Sequence, residues 1–371
     1  MNVPLLDLVA QYQSIKDAIV PAMMGVIERQ SFIMGPEVGQ LEGEVAALCQ
    51  AKHGISCASG TDALLLPLKA LDMKPGDEII APAFTFFATA GAVHNAGGTP
   101  VFVDIDPRTL NISPEAIEAA ITPRTRGIVV VHLFGQMAAM EKILPIAAKH
   151  RIAVIEDGAQ AIGARRKING EWKVACGLGT AGTLSFFPSK NLGAWGDGGM
   201  MITQDDALAT RLKRLRLHGG AREYHHDEVG TNSRLDTLQA AVLKAKLPFL
   251  AGWSEGRRNR AARYTAAFNG HRSITPPHTD PANEHIFHQY TIEVPDRDKL
   301  GAHLKEKGIG SKVYYPVGLH MQPCFAHLGY KRGSLPHTEA AMDRVISLPI
   351  FPELSDAQQD GVISAVKGFY A

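Results

Sequence analysis

Short, mostly apolar runs of strand length recur along this chain with helical stretches between them, and that order restricts its fold more than any other feature. The runs fall at Glu78 to Ala81, Pro100 to Asp104, Gly127 to His132, Ile152 to Glu156, Thr183 to Phe186 and Met200 to Thr203. A strand with one wet face alternates apolar and polar residues, whereas a strand covered on both faces is apolar throughout. Helical patterns at Gln40 to Gln50, Pro114 to Ala120 and Ala139 to His150 supply the cover. The expected fold is therefore α/β, built on a mainly parallel sheet. The helical run Asp236 to Lys246 continues through Pro248 into a polar helix around Arg257 to Ala267. The domain boundary is placed there, with a large domain over 1–248 and a smaller α+β domain over 249–371. The latter has strands expected at His288 to Val294 and Ser311 to Tyr314 and a helix at Lys299 to Lys307. At 371 residues and 45% hydrophobic content the chain can bury a substantial core.

The polar residues at the ends of these runs carry the chemistry. Ser185-Phe186-Phe187-Pro188-Ser189-Lys190-Asn191-Leu192-Gly193 holds a lysine between a strand and a run of tight turns, placed to form an imine with an aldehyde cofactor. The run Ile152 to Ile155 ends in Glu156-Asp157-Gly158-Ala159-Gln160, and an acid at the carboxyl end of a parallel strand lies where open α/β sheets bind ligands. Ile55 to Ala58 turns through Ser59-Gly60-Thr61-Asp62 into the helical Ala63 to Leu66. The free N–H groups and dipole of such a helix start suit a phosphate. A lone lysine is usually a solvated charge and a lone acid usually a cap, but lysine, acid and phosphate cradle together point to pyridoxal 5′-phosphate.

Other patterns lead elsewhere or nowhere. Gly177-Leu178-Gly179-Thr180-Ala181-Gly182 matches the glycine spacing of dinucleotide binders, yet it follows the hairpin signal Asn169-Gly170 and leads into a strand instead of a helix. His225-His226-Asp227-Glu228 lacks the spacing of a zinc motif and reads as a polar loop, so no metal site is expected. Arg211, Lys213, Arg214 and Arg216 read as a solvated helix face. A net charge of +1 gives no bulk attraction to nucleic acid or an anionic membrane. Cys49, Cys57, Cys176 and Cys324 read as reduced, buried thiols of a cytoplasmic protein, and the first residues, Met1 to Asp7, lack the pattern of a signal peptide.

The ordered motifs resemble the DegT/DnrJ/EryC1/StrS sugar aminotransferases. The resemblance runs from Gly35-Pro36-Glu37 through Ser59 to Leu64, Pro82-Ala83-Phe84-Thr85-Phe86, Asp157 to Gln160 and the Lys190 motif to Gly230 through Leu235 and Tyr315 through His320. It implies an aspartate-aminotransferase-like (fold type I) large domain. It further implies that Lys190 carries the cofactor and moves protons, that Asp157 keeps the pyridine nitrogen protonated, and that Gly60, Thr61 and Ser185 hold the phosphate. Phe86 would cover one ring face and Gln160 would contact the ring or its phenolic oxygen. Asn232 would reach the neighbouring subunit's phosphate, so a homodimer with shared sites is implied.

L-glutamate is the implied donor and a nucleotide-linked keto sugar the acceptor, with Arg234, Tyr314 and His320 as substrate residues. Phe187, in place of a histidine found in relatives acting at C4, and the run His218 to His226 resemble aminotransferases for UDP-2-acetamido-3-keto sugars. Gly318 and Tyr314 depart from the pattern, standing where relatives have proline and histidine. Transamination at C4 is the alternative, and a non-enzymatic regulator on the same scaffold is disfavoured by the retained lysine and acid.

Overall fold

The computed structural model describes residues 2–222 and 224–371; Met1 and Glu223, the latter inside the His218 to His226 run, lie outside the described residues. The chain opens with helices α1 (Leu8–Arg29) and α2 (Pro36–Leu48). The strand and helix alternation follows as β1 (His53–Cys57), α3 (Gly60–Lys69), β2 (Glu78–Pro82), α4 (Ala88–Asn95), β3 (Thr99–Val103), α5 (Pro114–Ala120), β4 (Thr125–Val131), α6 (Met140–His150) and β5 (Ala153–Asp157). A hairpin, β6 (Arg165–Ile168) and β7 (Glu171–Val174), then precedes β8 (Ala181–Ser185) and β9 (Gly199–Thr203). Seven strands form one sheet in the order β1-β9-β8-β5-β4-β2-β3. Pairing is parallel from β8 through β5, β4, β2 and β3, and β9 alone runs against its neighbours.

Burial on both faces accounts for the apolar runs. Ile128, Val130 and Val154 pack into a core with Val38, Leu41 and Val45 of α2 and Met140 and Ile143 of α6. Their strand neighbours Val129 and Ile155 point the opposite way, against Leu64 and Leu68 of α3 and Val93 of α4. The register aligns Val131 with Asp157, Asp157 with Thr183, Ser185 with Gly199 and Gly199 with Cys57. The carboxyl ends of β1, β4, β5 and β8 therefore share one edge of the sheet, the edge that carries the polar residues.

After β9 come α7 (Asp206–Leu215), α8 (Thr237–Lys246) and α9 (Leu250–Phe268), with Pro248 in a single 3₁₀ turn between the last two. A separate core gathers Tyr264, Phe268, Tyr290, Ile292, Ile346 and Val362, and Val3 from the other end of the chain packs into it. Strands Tyr290–Glu293 and Val345–Leu348 pair antiparallel beneath it.

Several expectations need correction. No strand forms over Ser311 to Tyr314; only Lys312 pairs there, bridging Ser347 of the strand Val345–Leu348. The strand expected over His288 to Val294 covers only Tyr290–Glu293. Arg216 is buried instead of solvated, donating to Glu42 and to the Ser56 carbonyl. Arg211 is tied to Asp72 and Glu228. Cys324 is exposed while the other three cysteines are buried. His225–His226 pairs with Gly220–Arg222 as a short hairpin. Among the described residues no cluster has the makings of a metal site, and no helix is long and apolar enough to cross a membrane.

The dinucleotide-like glycine run has an internal purpose. The backbone N–H groups of Cys176, Leu178 and Gly179 donate to the buried Glu156 carboxylate at 3.0, 2.7 and 2.6 Å. His132 Nε2 meets the same carboxylate at 2.9 Å. A Cβ on Gly179 would come within 2.6 Å of the Val154 carbonyl oxygen. The loop thus cradles an anion supplied by the chain itself.

Candidate active site

A cavity of about 440 Å³ opens at the carboxyl edge of the sheet. β5 delivers Asp157 to it, β8 delivers Ser185, and the turn after β8 brings back Lys190, whose backbone N–H donates to the Phe187 carbonyl at 2.8 Å. Gly193 permits that turn, since a Cβ there would lie 2.2 Å from the Pro188 oxygen.

Lys190 stands half-buried in the cavity wall, and burial pushes its amine down to about 8 against the opposing pull of the Asp157 anion. Asp157 is buried, which pushes its carboxyl up. The Thr89 hydroxyl donates to its Oδ2 at 2.9 Å and the Ala159 N–H to its Oδ1 at 3.2 Å, both favouring the anion, as does Lys190. An amine close to neutral reactivity thus faces a hydrogen-bonded carboxylate.

At the other end of the cavity, Ser59 caps α3 by accepting the Asp62 N–H at 3.1 Å. The N–H groups of Gly60 and Thr61, in the first turn, have no intrahelical acceptor. A Cβ on Gly60 would sit 2.6 Å from the Ser185 Cβ and 2.8 Å from its hydroxyl, so helix start and serine close on each other only because residue 60 is glycine. Gly199 is pressed in the same way: a Cβ there would lie 2.3 Å from the Ser59 oxygen. Backbone donors, a hydroxyl and a dipole converge there, and they fit a phosphate. With Lys190 and Asp157 on the same cavity, the residues present fit pyridoxal phosphate.

Phe86 lines the cavity with more than half its surface exposed, tilted against Tyr315 at 6.4 Å between ring centres. Gln160 also lines it, with its amide held at both ends. Its Oε1 accepts the Phe134 N–H at 2.7 Å and its Nε2 donates to the Tyr315 hydroxyl at 2.9 Å. Tyr314 completes the sequence-expected residues on this wall.

Three expected residues lie outside the cavity. Asn232 is exposed and bridges Leu217, and Arg234 is half-buried. His320 is buried, its Nε2 3.3 Å from Glu339. Ser233, between Asn232 and Arg234, is buried and ties their segment to the start of α3: its hydroxyl accepts the Ala58 N–H at 3.1 Å and donates to Asp62.

Sequence reasoning missed Thr89, Tyr315 and His288. Thr89 follows Thr85 by four residues, a spacing that puts both on one side of a helix start. In the sequence His288 stands only at the start of an expected strand. It lines the cavity, its Nδ1 lies 2.9 Å from the Oδ1 of Asn191, the residue after Lys190, and burial holds it well below its ordinary range.

A half-buried amine and a strand-end acid on one cavity, next to a helix start opened by glycine, place the molecule among the fold type I aminotransferases that use pyridoxal phosphate. Comparison with known proteins narrows the class. The DegT/DnrJ/EryC1/StrS aminotransferase family matches residues 13–367, and the chain belongs to that family. It is 52% identical to a pleiotropic regulatory protein of Geobacillus stearothermophilus, over all of this chain and 99% of the relative. It is 46% identical to the UDP-N-acetyl-3-dehydro-alpha-D-glucosamine 3-aminotransferase of Acidithiobacillus ferrooxidans, over 98% of this chain and 97% of that one. The crystal structure of Streptomyces venezuelae DesV in complex with a ketimine intermediate superposes with a TM-score of 0.95 at 40% identity, over 99% of this chain and 98% of that one. The activity is accordingly that of a pyridoxal-phosphate-dependent sugar aminotransferase acting on nucleotide-linked keto sugars.

Proposed function

We propose that this chain moves the amino group of L-glutamate to the C3 keto group of a UDP-linked 2-acetamido sugar. The observation that carries the reading is Lys190 and Asp157 on one cavity beside the Gly60–Ser185 cradle. The position of attack rests on the Acidithiobacillus relative, whose own substrate is a UDP-linked 3-dehydro sugar, and on Phe187 at the cavity wall.

The residues divide the work. Gly60, Thr61 and Ser185 bind the phosphate, and Phe86 and Gln160 orient the ring. When bound, pyridoxal phosphate supplies the electron sink that makes the donor's α-proton acidic. Lys190 Nζ takes that proton and later delivers one at the sugar carbon, a task suited to an amine near 8. Asp157 holds a positive partner against its carboxylate, and burial strengthens that pairing. Among the positions of this site none has lost the group the chemistry needs, which favours an enzyme over a regulator.

The reading includes a homodimer. Asn232 and Arg234 lie outside the cavity of their own chain, yet Ser233 pins their segment to the start of α3. Phe86, Phe187 and Trp195 near the cavity, and Val9, Val20 and Met24 on α1, expose large apolar surfaces that a second copy would cover.

Supplying glutamate with UDP-2-acetamido-2-deoxy-3-keto-glucose, its uronic acid and a 4-keto analogue tests the proposal. Amination at C3 of either 3-keto sugar, with product position read by NMR, is the expected outcome. Turnover of the 4-keto sugar alone would overturn the C3 reading.

A further inference from the structure

The Asp157 carboxylate meets the protein at two points, and one is a relay of two hydroxyls. Thr89, in the first turn of α4, donates to Oδ2 at 2.9 Å, and the Thr85 hydroxyl lies 3.2 Å from the Thr89 hydroxyl. Thr85, Thr89 and Asp157 are all buried. Each threonine has one hydroxyl proton, and an ionised carboxylate only accepts. With Asp157 ionised, Thr89 must spend its proton on Oδ2, so Thr85 must donate to Thr89. The relay therefore has one direction only while Asp157 is an anion, and each link polarises the next.

The other groups around Asp157 do not substitute for it. Lys190 faces it from the turn after β8, and His132 stands beside it after β4, with its Nε2 bonded to Glu156. Cys176 and the Tyr315 hydroxyl also lie near, and neither thiol nor phenol is an anion there because burial pushes both up. The Ala159 N–H serves Oδ1. Thr89 is the sole side-chain hydrogen-bond donor to the carboxylate among the described residues. Burial favours the neutral acid, and the Thr89 bond is the largest influence opposing it.

We propose that Thr89, backed by Thr85, is a positioning residue of the transamination reaction: it holds Asp157 as a correctly turned anion and thereby sets how strongly the cofactor's ring nitrogen keeps its proton. The inference rests on the reading of Asp157 given above. A threonine in this place gives the site an adjustable strength, because a hydroxyl supplies a hydrogen bond without a charge of its own.

The test reads the visible absorbance of the cofactor-loaded protein against pH. Less positive charge on the ring means that the proton shared with Lys190 is released at higher pH. Thr89→Val should raise the titration midpoint by about half a unit or more, Thr89→Ser should restore it, and Thr85→Val should shift it in the same direction by less. Asp157→Asn is the reference and should give the largest rise. A Thr89→Val protein that loses stability or cofactor affinity but keeps the wild-type midpoint, while Asp157→Asn shifts, would show Thr89 to be structural only and overturn the inference. Should Thr89→Val not fold, Thr85→Val decides, and an unchanged midpoint there overturns the relay. An unchanged midpoint in Asp157→Asn would instead remove the role given to Asp157, and the inference with it.

Discussion

Lys190 owes its chemistry to its surroundings. An ordinary lysine near 10.5 has about one amine in a thousand free at pH 7.5, whereas an amine at about 8 has roughly a quarter free. Capture of pyridoxal phosphate by the cofactor-free protein should therefore speed up as pH rises towards 8 and level off above it, followed by stopped-flow absorbance. The Asp157 anion raises the Lys190 value, so Asp157→Asn should move that plateau to lower pH; a shift upward would contradict the pairing. Lys190→Ala should abolish turnover, with no cofactor adduct on the 185–193 peptide after borohydride reduction. Gly60 offers a steric test. Its missing Cβ would lie 2.6 Å from that of Ser185, so Gly60→Ala must push the helix start from the serine. The expected result is a fold that survives with cofactor affinity at least about tenfold weaker, or about 1.4 kcal/mol, measured by equilibrium titration.

The strands and helices were largely legible because their reasons are local. β4 is apolar from Gly127 to Val131 and β5 from Ala153 to Ile155, since Val129 and Ile155 meet α3 and α4 while Val130 and Val154 meet α2 and α6. Most strand limits moved by only a residue or two, with β5 running to Asp157 and β8 stopping at Ser185. Ser311 to Tyr314 has strand composition yet no strand, because a strand needs a partner's hydrogen bonds and only Ser347 offers them. The loop Gly177 to Gly182 shows the same limit. Its spacing is that of a dinucleotide binder, but its Leu178 and Gly179 N–H groups are spent on Glu156. Gly179→Ala should set its Cβ against the Val154 oxygen and destabilise the protein by about 1–3 kcal/mol, read as a lower urea midpoint with an unchanged slope. A neutral result would mean the loop can move away and that the cradle around Glu156 is not rigid.

The proposed dimer makes a prediction about the assembled molecule. If Asn232 of one chain completes its neighbour's site, coexpressed Lys190→Ala and Asn232→Ala chains should regain activity, because one site in each mixed dimer has both residues intact. Isolated mixed dimers should reach up to about half the wild-type rate per dimer while each parent stays inactive. No recovery in verified mixed dimers would remove the sharing. Ser233 explains why the segment is held ready in each chain: its hydroxyl joins Ala58 and Asp62, so the residues that face outward are fixed from within.

By itself the amino-acid sequence determined the layered α/β plan and pointed to three parts of the candidate site, Lys190, Asp157 and the helix start at Gly60 and Thr61. Apolar periodicity, strand-end acids and glycine-opened helix starts are properties of neighbouring residues. Only the tertiary structure decided what surrounds those parts. Thr89 reaches Asp157 across 68 positions and Tyr315 reaches Gln160 across 155. His320, expected at the substrate, is turned to Glu339. Burial, which brings the Lys190 amine to about 8 and raises Asp157, comes from the packing of many segments, and no local pattern encodes it.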